Sequence, residues 1–285
     1  MRQVAIVTDT TACVPPEQVS QYDIEVVPVP LIINQKTYRD GIDITPTEFY
    51  EMLRKTKRLP TTSASSPTPY FEAFRNASRR APNILCLTEP SRFSAMYSSA
   101  RAAIETAKEK LKNVVIEVME CTTAAAGQGL VALAAARAAA KGKSLAEVKQ
   151  VVNNIMPRIN LFAAIDNLRY LARSGRVPQA AAIVDTILNL KPIFTLNHAN
   201  PGLAGLPRSI KGAIGRIVVL IKKNTHQGKC LHAAVMHADA LEDAKTLKEK
   251  ITSSFNCSEI FITEFTPVMG VHTGPGLVGV AFYEE

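Results

Sequence analysis

Hydroxyl side chains are concentrated in one short segment of the chain, LPTTSASSPTP, at residues 59–69. Before Pro67 this segment contains five of them, namely Thr61, Thr62, Ser63, Ser65 and Ser66. A helix is predicted from Pro67 to Arg80, and one or two hydroxyls are enough to cap a helix. The others are free to hydrogen-bond an anion, since a carboxylate accepts several such bonds at once. A solvated turn is the competing interpretation.

Three further polar clusters lie where a predicted strand ends or a helix begins, which is where open α/β sheets bind ligands. Asp9 and Thr11 follow the first strand, and there an N-cap is favoured over a ligand contact. Ser94 opens the helix after the strand NILCLT, and its sequence context fits a cap and a ligand contact equally well. His272 lies between a predicted strand and the Gly-Pro-Gly of HTGPG, where glycines allow a ligand to approach the backbone closely.

Several common catalytic motifs are absent from the sequence, which contains no GxSxG, P-loop or HExxH pattern. His232 and His237 are five residues apart on a predicted strand and therefore point to opposite faces, which argues against a metal pair. Arginines such as Arg176 and Arg208 add cationic donors to the hydroxyls. The residues by themselves thus favour a binding site for a small anion in apolar surroundings, with no cofactor and no metal.

The composition is that of a soluble globular protein, with 47% apolar and 20% charged residues among 285. The net charge is +8, but no run reaches five like charges and aromatic residues make up only 6%. The charge therefore favours anionic ligands or an acidic partner protein over nucleic acid. The five cysteines include no CxxC pair, which favours reduced cysteines in a cytoplasmic protein. The apolar run at the N-terminus is too short for a signal peptide, which favours the same location. The most apolar window is interrupted by Gln128 and Arg137 and predicts a buried helix, not a membrane span.

Short β-rich runs alternate with helical patterns along the chain, which is typical of α/β folds. We expect two α/β domains, a parallel-sheet N-terminal domain at residues 1–156 and a mixed-sheet C-terminal domain at residues 157–285. Thr45 and Ser144 are predicted to cap helices. A helix is also predicted over AAIVDTILNL, residues 181–190.

The sequence resembles the DegV family of bacterial fatty-acid-binding proteins over nearly its whole length. The likeness is carried, in the family's order, by VAIVTDTTACVPPE, YRDGIDITPTEFYEML, LPTTSASSPTP, SRFSAMYSSA, AAGQGLVALAAA, DNLRYLARSGRV, ILNLKPIFTL and GVHTGPGLVGVAFY. The resemblance implies two α/β domains with a long-chain fatty acid held between them. It also implies a non-catalytic protein that presents this fatty acid to a separate ATP-binding fatty acid kinase subunit, which makes acyl phosphate, with peripheral membrane contact during lipid exchange.

The resemblance also implies roles for individual residues. The acyl carboxylate is expected to contact Thr62, Ser63, Ser94 and His272, and the vicinity of the head group, or the face offered to a kinase, is expected to include Arg176 and Arg208. The chain departs from the family pattern at Ala95-Met96, where the family has Gly-Thr, and at Ser174, where it has Gly. Chain-length preference and partner recognition are the properties that these departures affect.

Two other functions are compatible with the residues alone. In a serine hydrolase that acts on small esters or acyl substrates, Ser63 or Ser94 would be the nucleophile and His272 the base. A DNA-binding regulator would rest on the net charge and on nothing else.

Overall fold

The computed structural model describes residues 2–56, 58–63, 65–183 and 190–285. Its strands are β1 (Val4–Asp9), β2 (Glu25–Val27), β3 (Pro30–Ile33), β4 (Lys36–Arg39), β5 (Thr61–Thr62), β6 (Asn83–Thr88), β7 (Val115–Glu120), β8 (Asn160–Ala164), β9 (Ile193–Asn197), β10 (Asn200–Gly205), β11 (Leu231–Ala238), β12 (Cys257–Glu264) and β13 (Leu277–Glu284). Its helices are α1 (Pro16–Tyr22), α2 (Pro46–Lys55), α3 (Pro67–Ser78), α4 (Met96–Lys110), α5 (Ala126–Ala140), α6 (Leu145–Ile155), α7 (Leu168–Ser174), α8 (Pro178–Ile183), α9 (Ile210–Lys223), α10 (Leu241–Ser254) and α11 (Pro267–Thr273).

The N-terminal half is built on a parallel sheet with the strand order β2-β1-β6-β7, which we call the N-sheet. Successive side chains of a strand point to opposite faces. In β1, Ala5 and Val7 therefore pack with helices α3 and α4, whereas Val4 and Ile6 join the core that contains α5. Burial on both faces explains why β1 and β6 are apolar without alternation.

The C-terminal half is built on a mixed sheet with the order β10-β9-β8-β13-β11-β12, which we call the C-sheet. Only β11 and β12 pair in parallel, and the other neighbours are antiparallel. One face packs against α9 and α10 through residues such as Val235 and Val280. The other face, which includes Met236 and Ala281, belongs to the same core as α5. Two α/β domains with a parallel and a mixed sheet are thus confirmed.

Helix α5 lies between the two sheets and is buried on all sides except at Arg137 and Ala140. A helix that is apolar all round belongs in a core. Its alanines and glycines let neighbouring backbones come close: a Cβ placed on Gly129 would lie 2.5 Å from the carbonyl oxygen of Ala12. No helix in the described ranges is both long and apolar enough to cross a membrane.

Local signals at helix starts were predicted well. Thr45 and Ser144 cap α2 and α6, each in a capping box with the glutamate three residues later. Helix α4 begins at Met96 and not at Ser94. Residues 156–158 form a 3₁₀ turn between the last N-terminal helix and the first C-sheet strand, and the domain boundary at residue 157 stays a prediction.

Three features of the fold differ from the expectation. Strands β3, β4 and β5 form a small antiparallel sheet that the sequence did not indicate, and β10 forms a hairpin with β9. Residues 267–273 form helix α11, where we expected His272 to follow a strand directly. The helix predicted over residues 181–190 is a separate case: it overlaps the end of α8, and residues 184–189 lie outside the described part of the chain.

We expect Gly129→Ala to lower the free energy of unfolding by about 1–3 kcal/mol, because the added methyl group overpacks the contact between α5 and Ala12. The matched control is Gly215→Ala in α9, where an added Cβ meets nothing within 4 Å. That variant should gain about 0.5–1 kcal/mol from helix propensity. Urea unfolding of both variants measures the difference, and equal stabilities would contradict the close packing of α5.

Candidate functional site

A cavity of about 260 Å³ is lined by residues from both halves of the chain. On the C-sheet side the walls come from alternate strand residues, which share one face of the sheet. The apolar residues there are Leu161, Ala163, Ile165, Phe194, Leu196, Met236 and Leu277. The other apolar wall residues include Val29, Phe93, Ala124, Ala125, Val268 and Met269. The walls can therefore accommodate an apolar ligand.

Five of the six predicted site residues line this cavity, namely Thr62, Ser63, Ser94, Arg176 and His272. They come from four separate stretches of the chain. Of the hydroxyl-rich segment, only Thr62 and Ser63 line the cavity: Ser66 occupies the N-cap position of α3, and Ser65 is buried. Arg208 lies in the exposed stretch before α9 and lines neither this cavity nor the one next to it.

Thr62 and His272 are in direct contact across the site. The hydroxyl Oγ1 of Thr62 lies 3.3 Å from Nε2 of His272. Thr62 is held by β5, where it pairs with Leu31 of β3. Because β3 and β5 also contact α11, the small antiparallel sheet carries the hydroxyl to the histidine.

His272 lies in the last turn of α11, and not directly after a strand as predicted. Gly274, directly after α11, has a left-handed φ of +67°, and a Cβ there would overlap the ring of Tyr170 in α7. The HTGPG turn thus allows α7 to pack closely against α11. Burial, with a smaller contribution from Arg176, lowers the pKa of His272 to about 4. At neutral pH the ring is uncharged and can donate one hydrogen bond and accept another.

Arg176 follows α7 and is half-buried between the two halves of the chain. Its Nη1 donates to the carbonyl oxygen of Ser174 at 2.6 Å, and its Nε donates to that of Phe93 at 3.3 Å. The hydroxyl of Ser174 accepts the backbone N–H of Arg176 at 3.2 Å. The side chain of Ser174 therefore adds a bond, which a glycine could not form, and this bond supports the loop that carries the arginine.

The loop from β6 to α4 contributes Ser94 and a residue that the sequence analysis did not single out, Glu89. Glu89 is 8% exposed, lines the cavity and interacts with the side chain of Ser94. Burial and the nearby charge of Asp9 raise the pKa of Glu89 to about 8, although Ser94 and Arg176 oppose this shift. In the sequence, Glu89 could have been recognised as an acidic residue placed directly after an apolar strand. Ser94 also accepts the backbone N–H of Met96 at 3.4 Å, so it interacts with both the helix start and the site.

Asp9 has the capping role that its position predicted. Its Oδ1 accepts the backbone N–H of Thr11 at 3.0 Å, and its Oδ2 accepts the hydroxyl of Tyr70 at 3.2 Å. Gln128 of α5 joins this group through Thr11. Burial raises the pKa of Asp9 to about 6. The network anchors the carboxyl end of β1 beneath the cavity.

A second cavity of about 200 Å³ adjoins the first and shares Thr62, Arg176 and His272 with it. Its other lining residues are Leu59, Pro60, Thr61, Tyr170, Arg173, Ser174 and Val271. Thr61 and Arg173 are exposed, so the polar end of the first cavity lies close to the protein surface. Within the described ranges, no group of three or more His, Cys, Asp or Glu side chains could hold a metal ion.

Comparison with known proteins gives a consistent result. Residues 3–285 match the family model described as uncharacterised protein, DegV family. A DegV domain-containing protein of Caldanaerobacter subterraneus is 31% identical over 285 residues, which cover 100% of both chains. A DegV family protein from Thermus thermophilus, whose structure is described in terms of fatty acid binding, has a TM-score of 0.91 at 28% identity and full coverage of both chains. DegV of Bacillus subtilis, described as a fatty acid binding protein, has a TM-score of 0.88 at 26% identity, also with full coverage of both. The chain belongs to the DegV family.

Proposed function

We propose that this protein binds a long-chain fatty acid in the cavity between its two halves, with the carboxylate at Thr62, Ser63, Ser94 and His272. The observation that carries the proposal is a cavity with apolar walls in which hydroxyls, an imidazole and a guanidinium converge. Two structural relatives, at 28% and 26% identity, are described as fatty acid binding. The arrangement of polar groups supports the same class of ligand here.

The polar residues suit a carboxylate because most of them can donate hydrogen bonds. The hydroxyls of Thr62, Ser63 and Ser94 offer neutral donors, as does the uncharged ring of His272. The cation of Arg176 offers a stronger, charged donor. Hydrogen bonds to an ionised acceptor are roughly twice as strong as neutral ones. These groups therefore select which end of the ligand lies at the Thr62–His272 contact.

The acyl chain supplies most of the affinity in this proposal. A sixteen-carbon tail buried at about 0.8 kcal/mol per CH₂ contributes at most about 12 kcal/mol. Association and ordering consume about 4–15 kcal/mol. The tail therefore gives useful affinity only if the apolar walls are preformed, and the close packing of α5 against both sheets supports preformed walls.

We further infer that the bound carboxylate is presented to an ATP-binding kinase subunit for acyl-phosphate formation, the role that the family resemblance implies. The second cavity supports this step because it extends from Thr62 and His272 to the exposed Arg173. A phosphate-donating partner could approach the carboxylate along this path. Arg208 is exposed on the C-terminal half, which is compatible with a place on the partner-facing surface.

The hydrolase alternative gains little from the geometry. Such an enzyme needs a serine within hydrogen-bond reach of its base. Among the described residues, the hydroxyl in contact with His272 is that of Thr62, whereas Ser94 interacts with Glu89 and the start of α4. Turnover of a chromogenic ester that is lost in Ser94→Ala would nevertheless favour the hydrolase over the binding protein.

The protein purified from bacteria without added lipid should contain a long-chain fatty acid, because apolar cavities retain apolar guests and related complexes differ mainly in their off-rates. Native mass spectrometry, followed by organic extraction, measures the identity and stoichiometry of the ligand. A polar cytosolic protein prepared in parallel serves as the control. A bound polar metabolite, or an empty site that rejects added fatty acids, would overturn the proposed function.

Ser94→Ala should weaken binding of a fluorescent fatty acid by about 0.5–1.5 kcal/mol, or up to about 3 kcal/mol if the anion is fully buried. Ser91→Ala is the matched control, because the exposed Ser91 hydroxyl bonds Glu120 at 2.8 Å and lines neither cavity. The control should bind like the wild type. Equal affinities of both variants would remove Ser94 from the carboxylate site.

Arg176→Ala should retain most of its fatty acid, because the acyl chain supplies most of the affinity and the hydroxyls and His272 remain at the carboxylate. It should fail to support acyl-phosphate formation with a purified fatty acid kinase subunit. The control is Arg169→Ala, since Arg169 is exposed on α7 and lines neither cavity. The two measurements are the lipid content by mass spectrometry and ATP turnover with the kinase. Complete loss of the lipid would show that ligand binding depends on Arg176, and unchanged turnover would refute its role in transfer.

A further inference from the structure

Glu89 places a carboxyl group among the residues proposed to hold another carboxylate. It lines the same cavity as Ser94 and Arg176. Its carboxyl group interacts with the side chain of Ser94 and with the positive charge of Arg176. Its side chain is buried, with 8% of the residue exposed. The proposed ligand head group therefore lies next to an acidic side chain that solvent scarcely screens.

Two adjacent carboxylates in a site of this kind do not both stay ionised. Like charges that share a buried site raise the pKa of one of them, which then holds a proton. Arg176 is the nearby cation, and part of its hydrogen-bonding capacity is used by the carbonyls of Phe93 and Ser174. The buried Asp9 adds a further negative group close to Glu89. One cation cannot balance a ligand carboxylate, Glu89 and Asp9 together.

We propose that Glu89 is protonated when a fatty acid is bound and donates a hydrogen bond to the ligand carboxylate, so that binding of the anion is linked to one proton. The proposal rests on the proposed function and specifies how the head group is recognised. In the bound state the two carboxyl groups share a single negative charge, which Arg176 can balance. The proton comes from solvent whenever Glu89 is ionised in the free protein.

The other titratable groups around Glu89 do not account for a proton taken up at alkaline pH. Asp9 at the end of β1 has a pKa raised to about 6, and that of His272 on α11 is lowered to about 4. Burial raises the pKa of Tyr70 on α3 well above 10, as it raises that of the thiol of Cys86 in β6 well above 9. The remaining neighbours are Cys121 after β7, whose thiol pKa burial also raises, and Glu120, which accepts hydrogen bonds from Ser91. Burial raises the pKa of Glu89 to about 8, which lies above the pKa values of Asp9 and His272 and below that of Tyr70.

Calorimetric titration with dodecanoate at pH 7 and pH 9.5, in two buffers with different ionisation enthalpies, tests the proposal. The ligand is ionised at both pH values, since ordinary carboxyl pKa values are near 4. Protonated Glu89 is the binding-competent form, so wild-type affinity should fall at least about tenfold from pH 7 to pH 9.5. Proton uptake should be close to zero at pH 7 and approach one per ligand at pH 9.5.

Glu89→Gln is the matched variant, because its amide is neutral, has nearly the same shape and still donates a hydrogen bond. It should bind dodecanoate with nearly equal affinity at both pH values and without proton uptake. A wild-type protein with no uptake and constant affinity would overturn the proposal, as would a variant that keeps the wild-type pH profile. Tighter binding of dodecanol than of dodecanoate at pH 7 would show that Glu89 is ionised and accepts a hydroxyl, which also overturns it. Failure of both ligands to bind either protein at either pH would refute the proposed function itself.

Discussion

The close packing of helix α5 between the two sheets is the constraint on which the rest of the structure depends. Both sheets bury one face against this helix, and the approach is possible because its side chains are small. The two residues directly before α5, Ala124 and Ala125, form part of the cavity wall. Ala125 has a φ of +52°, a backbone conformation that favours glycine. The separation of the sheets, the cavity and the position of β1 are therefore set by the same contact.

Buried polar groups then fix the end of β1 relative to α5. Gln128 of α5 bonds Thr8 of β1 at 3.1 Å, and Asp9 connects the same strand to Tyr70 of α3. Satisfied buried networks of this kind specify one arrangement, because an unpaired polar group in the core would cost free energy. Glu89 follows the neighbouring strand β6. The charges of the site are thus determined by how β1, β6 and α5 pack.

Electrostatics at the cavity are shaped mainly by burial. Desolvation keeps His272 neutral at physiological pH and favours the protonated form of Glu89. Of His272, Glu89 and Arg176, the arginine is therefore the one that carries a positive charge, because the ring of His272 is neutral. Hydroxyls such as that of Thr62 add directional hydrogen bonding without adding charge.

The sequence by itself determined the α/β class, the strands β1 and β6, the caps at Thr45 and Ser144 and the family, because these depend on local patterns and on the order of motifs along the chain. Helix α11 was not predicted, since seven residues that include a glycine give little periodicity. It is held by packing on α7 and α2. Only the tertiary structure brought Thr62 to His272, separated by 210 positions, and buried Glu89 among groups from other elements. A pKa depends on distance and desolvation, which the types and spacing of residues do not contain.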